Sequence, residues 1–414
     1  MQLILIKRPF YGWIVASCAF GVMFLTYGTQ YSFGVFFPAL LAEFGWSQAS
    51  LAGAFSLYTL IYSSFAFLSG KLTDRYGAKK VISLGGLLLG GGLILLSQAH
   101  SKWQVYLFYG VIAGLGMSTA YVPCNATVVK WFVYRRGVAL GFTGSGASLG
   151  IFAVPPIAAI LISRYGWRLS YLLFGVVICI LLNVLGRFMS REPAALGLDP
   201  EVDSIPDMFH NSFINLGQED YAGDMSVADA IKTPTFWILA LSIIAAFFTI
   251  TIPFVYLVSY AKSIGLSDMM AATFISGIGI AAMIGNLSMG AVSDWIGRKA
   301  ALGFALFLGI CAFAGFAQAK PIILLYASLA AFGLYYGAVA VLFPGLVGDF
   351  FGRANAGTLT GIIFALGGPA GALGPIVAGY IYDITREYSQ AFLLSALVNA
   401  LALGIFILAK EPKS

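Results

Sequence analysis

Long apolar runs, separated by short stretches rich in glycine, proline and charge, occupy most of this chain. Runs such as Val81 to Ala99 and Ile322 to Phe343 show no period-two alternation, so they read as packed helices and not as strands of a β-barrel. Punctuation predicts helices over 11–39, 47–69, 81–99, 104–128, 137–163 and 169–188, then over 236–260, 270–290, 300–318, 321–347, 356–381 and 390–409. Each is roughly 20 to 29 residues, enough to cross about 30 Å of hydrocarbon. The expected fold class is all-α integral membrane, with twelve transmembrane helices.

None of these spans carries Asp, Glu, Lys, Arg or His near its middle. Intramembrane ionisable groups usually mark ion pathways, so a pump with a buried carboxylate relay is disfavoured. Any route through the molecule is then lined by hydroxyls, amides and backbone. Composition agrees: 60% of the 414 residues are hydrophobic and 10% charged, and 49 glycines allow close helix approach where lipid supplies no hydrophobic drive. Cys18, Cys124, Cys179 and Cys311 fall in apolar runs without metal-ligand spacing and read as packing residues. No metal or cofactor is implied. Lys7-Arg8 leads into a span too long for a signal peptide, so a permanent helix is expected from Tyr11 onward.

Charge sets the topology. With the N-terminus in the cytoplasm, 17 of the 23 Lys and Arg fall on inner segments and 6 on outer ones, which by the positive-inside rule predicts a multi-pass protein of the plasma (inner) membrane with both termini cytoplasmic. The net charge of +6 is mostly this signal and does not point to nucleic acid. Between Ser190 and Lys232 lie nine of the 17 acidic residues and three prolines, a polar linker with a short amphipathic helix expected near Val227 to Ile231. The expected domains are therefore 1–189, a linker at 190–232, and 233–414.

The halves repeat. Gly70-Lys71-Leu72-Thr73-Asp74-Arg75-Tyr76-Gly77-Ala78-Lys79-Lys80 returns as Gly290-Ala291-Val292-Ser293-Asp294-Trp295-Ile296-Gly297-Arg298-Lys299-Ala300, a shift of 220. Trp131-Phe132 near Arg136 returns as Phe350-Phe351 near Arg353, and Arg8-Pro9 returns as Thr233-Pro234. Matches in one order at nearly constant offset predict two pseudo-symmetric six-helix bundles, with a solute site between them at mid-membrane depth. Gly144, Gly146 and Gly150 before Pro155-Pro156, and the Gly367-Gly368-Pro369 to Gly379 stretch, predict bendable fifth and eleventh spans.

The Gly-x-x-x-Asp-Arg-x-Gly-x-Lys-Lys element closely resembles the loop signature of the major facilitator superfamily. Asp74, Arg75, Arg136, Asp294, Arg298 and Arg353 are the expected gating residues, since carboxylates there can pair with arginines or face a helix N-terminus across the half-interface. The segments Arg8-Pro9-Phe10-Tyr11-Gly12-Trp13, Lys130-Trp131-Phe132, Arg191-Glu192-Pro193 and Lys232-Thr233-Pro234-Thr235-Phe236-Trp237 resemble one branch, the monocarboxylate transporters and oxalate/formate exchangers. That resemblance implies alternating-access transport of small monocarboxylates such as lactate or pyruvate, by proton symport or by exchange; His100 and His210 stand near no paired nucleophile and base or metal constellation, so no enzymatic activity is expected. Many members of the branch place an arginine in the eighth span for the substrate carboxylate and an aspartate one turn earlier for the proton. Here those positions read Asn286 and Ala282, and Phe364 to Gly368 lacks the exchangers' lysine.

Uncharged groups stand in. Tyr27 and Tyr31 share a helical face, as do Tyr121 and Asn125. A shift of 225 matches Tyr31 to Tyr256, and Tyr335, Tyr336 and Asn286 complete the expected binding set. With no titratable mid-span group, the substrate itself is expected to carry the coupling proton. The competing expectations are a neutral or other small organic solute, or carboxylate exchange. The remaining expected partner is the lipid bilayer, with the chain acting as a monomer.

Overall fold

A computed structural model describes residues 10–132, 136–190, 193, 225–318, 322–352 and 355–410. Most of the linker, and Arg353, lie outside the described residues, as do the side chains of Arg136 and Asp294. Among the described residues eleven helices are long and apolar enough to cross a membrane. One of them, Arg136–Phe188, has 53 residues, and at about 1.5 Å per residue would be far too long for one crossing. It turns back at Gly166, where φ is 75° and ψ 166°, a conformation only glycine adopts readily, and so supplies the fifth and sixth spans.

The first span is two helices, Tyr11–Tyr31 and Phe33–Phe44, joined at Ser32. The second is Gln48–Tyr76, the third Ala78–Leu96, and the fourth Lys102–Trp131, which contains a π-helical segment at Tyr106–Ala113. The seventh to twelfth are Pro234–Ser263, Asp268–Ile296, Arg298–Gln318, Ile322–Phe351, Ala356–Thr385 and Tyr388–Ile407. Several outrun the predicted ranges by a turn or more, because polar helix ends project beyond the apolar core. The signature element changes most: Asp74 and Arg75 sit on the last turn of the second span, and the expected loop shrinks to Gly77, with φ 82°. Gly297, with φ 85°, repeats this device between the eighth and ninth spans.

The bundles pack through glycines in matching places. A Cβ at Gly150 would lie 2.2 Å from the carbonyl oxygen of Phe24, and one at Gly374 would lie 1.9 Å from that of Phe248. Both members of the first contact shift by 224 to give the second, so the fifth span lies on the first as the eleventh lies on the seventh. Gly146 meets the Phe20 carbonyl in the same way, whereas Gly144 faces open space. Glycines expected to permit bending thus serve close backbone contact. On the other side of the first bundle, Gly86 and Gly90 seat the third span against Leu182 and Cys179 of the sixth.

Two of the segments that carried the branch resemblance, at Phe10–Trp13 and at Trp131-Phe132, meet at one end of the first bundle. Phe10 and Tyr11 pack on Trp131, and Trp13 on Phe132, at centroid distances of 6.1, 5.2 and 5.0 Å. Trp131 donates its indole N–H to the Ser190 carbonyl at 3.0 Å. Beyond the linker, the short helix Val227–Lys232 begins at Ser226, which accepts from the Asp229 amide, and Thr233 caps the seventh span by accepting from the Phe236 amide at 3.2 Å. This end is called the signature side here, and the opposite end the distal side.

Candidate functional site

The halves meet through the second and eleventh, fifth and eighth, and first and seventh spans. A Cβ at Gly368 would lie 2.5 Å from Ser63 Oγ, and one at Gly279 would lie 2.6 Å from the Phe152 amide nitrogen. At the distal end of the first span a Cβ at Gly34 would reach the Phe254 carbonyl at 2.2 Å. Just inside that closure sits a cluster of tyrosines.

Its centre is a hydroxyl pair across the halves: Tyr31 Oη and Tyr336 Oη are 3.1 Å apart. The Tyr31 ring lies 3.9 Å from that of Phe254 and 6.2 Å from that of Tyr27, while Tyr336 rests 5.4 Å from Phe254. Tyr27 lies within electrostatic reach of Tyr62, Tyr121, Tyr58 and Tyr336. Tyr121 is half-exposed, and Asn125, one turn along the same face, is partly buried. The structure therefore brings Tyr27, Tyr31, Tyr121 and Tyr336 together, with Asn125 at the margin.

Two predicted residues lie elsewhere. Tyr256 is buried and donates to the Pro375 carbonyl at 2.8 Å, inside the second bundle. The glycine contacts give the true repeat as 224, which pairs Tyr31 with Val255; an offset of one residue turns a side chain about 100° around a helix. Tyr335 is also fully buried and faces away from its neighbour Tyr336: its ring lies beside Gly309 with Asn399, whose amide donates to Thr249 Oγ1 at 2.7 Å.

Asn286 holds a different position. Its backbone nitrogen lies 2.9 Å from where a Cβ of Gly337 would stand, so the eighth span touches the tenth one residue from Tyr336. Its Oδ1 is buried and makes no hydrogen bond. Gln30 Oε1 and the Tyr58 and Tyr109 hydroxyls share this state, with the Tyr58 and Tyr109 rings stacked 4.8 Å apart. Unpaired buried polar atoms are rare, and π-helical segments such as the one bearing Tyr109 often occur at functional sites. Gln30, Tyr58, Tyr62 and Phe254 were not singled out from sequence. Gln30 could have been found as the one amide in the predicted first span.

The whole-chain comparisons match this architecture. The family model described as Major Facilitator Superfamily covers residues 19–375. The chain belongs to that superfamily. Monocarboxylate transporter 12 of Xenopus laevis is 28% identical over 402 residues, covering 93% of this chain and 85% of the relative. Monocarboxylate transporter 11 of Mus musculus is 28% identical over 417 residues, covering 98% and 88%. Among solved structures, a bacterial homologue of the human lysosomal transporter Spinster, inward-facing and occupied, superposes with a TM-score of 0.78 at 14% identity, covering 97% of each chain. The nucleoside transporter NupG superposes at 0.71, again with 14% identity, covering 96% of this chain and 99% of that one. The last two establish the fold alone.

In this superfamily member the expected gating residues whose side chains are described, Asp74, Arg75 and Arg298, each have a partner within their own half. Lys130 Nζ lies 3.3 Å from Asp74 Oδ1, and Arg298 pairs with Asp349 of the tenth span. Arg75 lies over the Tyr76 ring, 5.2 Å from its centroid. Among the described residues, hydrogen bonds join the halves at the tyrosine cluster and at the distal end, where Asp383 and Tyr388 meet Gln48 and Ala49.

Proposed function

We propose that the chain is a secondary carrier of small monocarboxylic acids of the lactate or pyruvate kind, moving each acid together with a proton by alternating access across the plasma (inner) membrane. The observation that carries this reading is the uncharged cluster of Tyr27, Gln30, Tyr31, Tyr62, Tyr121 and Tyr336 at the half-interface of a chain whose relatives are monocarboxylate transporters. Hydroxyls and an amide offer donors and acceptors but no counter-charge. Desolvating an unpaired carboxylate costs several kcal/mol, whereas protonating an acid of pKa about 4 at pH 7 costs roughly 4 kcal/mol. The protonated form is therefore a competitive cargo, and its proton needs no carrier side chain. The positive-inside distribution supports a cytoplasmic signature side and cytoplasmic termini, and Asp74, Arg75, Arg136, Asp294, Arg298 and Arg353 remain the proposed elements of a latch on that side.

The test is uptake into proteoliposomes. Lactate or pyruvate flux should rise when the source side is acidified, and flux indifferent to the pH gradient overturns the proton-coupled reading. A second reading, a neutral solute, draws on Asn286: its unpaired Oδ1 accepts only from a donor, which a neutral hydroxyl or amide solute supplies as well as a protonated acid does and a carboxylate does not. It gains support if the wild type carries a neutral hydroxy or amide analogue but no acid, and if Asn286→Arg then confers acid transport.

A further inference from the structure

The second span begins at the distal surface, and each of its first amides has an acceptor. Ser47 caps the helix: its Oγ accepts from Ser50 N at 3.2 Å and its carbonyl from Leu51 N at 3.1 Å. The two remaining amides, Gln48 N and Ala49 N, donate to Asp383 Oδ1 and Oδ2 at 2.9 and 3.1 Å. Asp383 belongs to the eleventh span, in the other half. One carboxylate thus finishes the cap of a helix across the interface, with its charge at the positive end of the helix dipole.

Neighbouring contacts converge on the same seam. Gln48 is buried and exchanges hydrogen bonds with the Tyr388 hydroxyl of the twelfth span, at 2.7 and 3.0 Å. Gly379, one turn before Asp383 and on the same face, has no room for a side chain: a Cβ there would stand 2.7 Å from both the nitrogen and the Cα of Ala49. On the signature side Arg298 pairs with Asp349 of its own half.

We propose that the Asp383 carboxylate is the distal latch: it holds the distal side shut in this state by capping the second span from the opposite half, and it must leave those two amides before that side can open. The inference rests on alternating access but not on which solute is carried. A carboxylate suits the task because water can replace it at a part-exposed helix end, so the contact is reversible.

The experiment measures distances between pairs of spin labels in liposomes, with the four native cysteines replaced by alanine. One pair, Lys102→Cys with Glu387→Cys, spans the distal side, and another, Lys79→Cys with Ala300→Cys, spans the signature side. Asp383→Ala should raise the long-distance distal population about ten-fold, the scale set by losing a capping interaction, while the signature-side distance shortens. Asp383→Asn, which keeps one acceptor oxygen, should fall between this variant and the wild type. Should the alanine variant not fold, Asp383→Asn and Tyr388→Phe carry the test. Unchanged distal distances in the folded variants overturn the proposal, as does lengthening on both sides, which would mark general loosening. Because no substrate enters the measurement, its failure is separable from failure of the transport reading.

Discussion

At the scale of single residues, the contact between Tyr31 and Tyr336 is the most exacting feature of the site, because each hydroxyl comes from a different half and the two meet at 3.1 Å. A net hydrogen bond contributes about 0.5–1.5 kcal/mol, so Tyr31→Phe and Tyr336→Phe should each raise KM for the transported solute by up to about ten-fold while thermal stability changes little. Transport kinetics in proteoliposomes read this, and an unchanged KM in both variants would remove the pair from the binding site. Tyr27, Tyr31, Tyr121 and Tyr336 were legible in sequence as polar groups at helical spacing in apolar spans. Tyr256 and Tyr335 looked equally good there and were not distinguishable. Which way a buried tyrosine points depends on a rotation of about 100° per residue that hydropathy does not encode when a helix is apolar all round. Gln30 went unnoticed for the converse reason, since one amide has no periodic partner.

Among elements, the glycine contacts decide how spans pair. Gly150 on Phe24 and Gly374 on Phe248 leave no space for any Cβ, so Gly150→Val and Gly374→Val should each lower stability by about 1–3 kcal/mol, the usual cost of overpacking. Loss of thermal stability in detergent checks this, with Gly144→Val as a control expected to be nearly neutral, since nothing lies within 4 Å of its Cβ position. A large effect at Gly144 and none at Gly374 would contradict the assigned packing. Sequence suggested flexibility for these glycines. It could not show that the neighbouring backbone occupies the space, because that is a property of two helices and not of one. The signature element likewise read as a loop from its charges, whereas an amphipathic helix end and one glycine with positive φ accomplish the same reversal.

For the whole molecule, a ligand that binds the folded state raises its apparent stability by mass action. If the protonated acid is the cargo, a small monocarboxylic acid at fixed total concentration should raise Tm more at pH 5.5 than at pH 7.5, because an acid of pKa about 4 has about 100-fold less of its protonated form at the higher value. A thermal-shift series at the two pH values checks the sign, and a larger shift at pH 7.5 would favour the carboxylate itself as cargo. The sequence alone determined the membrane class, the twelve spans and the internal repeat, because hydropathy over a bilayer's thickness and the order of charged turns are local properties that survive without tertiary contacts. Only the tertiary structure decided that Tyr31 meets Tyr336 while Tyr256 turns into its own bundle, and that Asp383 closes the distal seam. Those contacts depend on the relative rotation and approach of helices far apart in the chain, which packing between the two halves settles and a run of apolar letters does not.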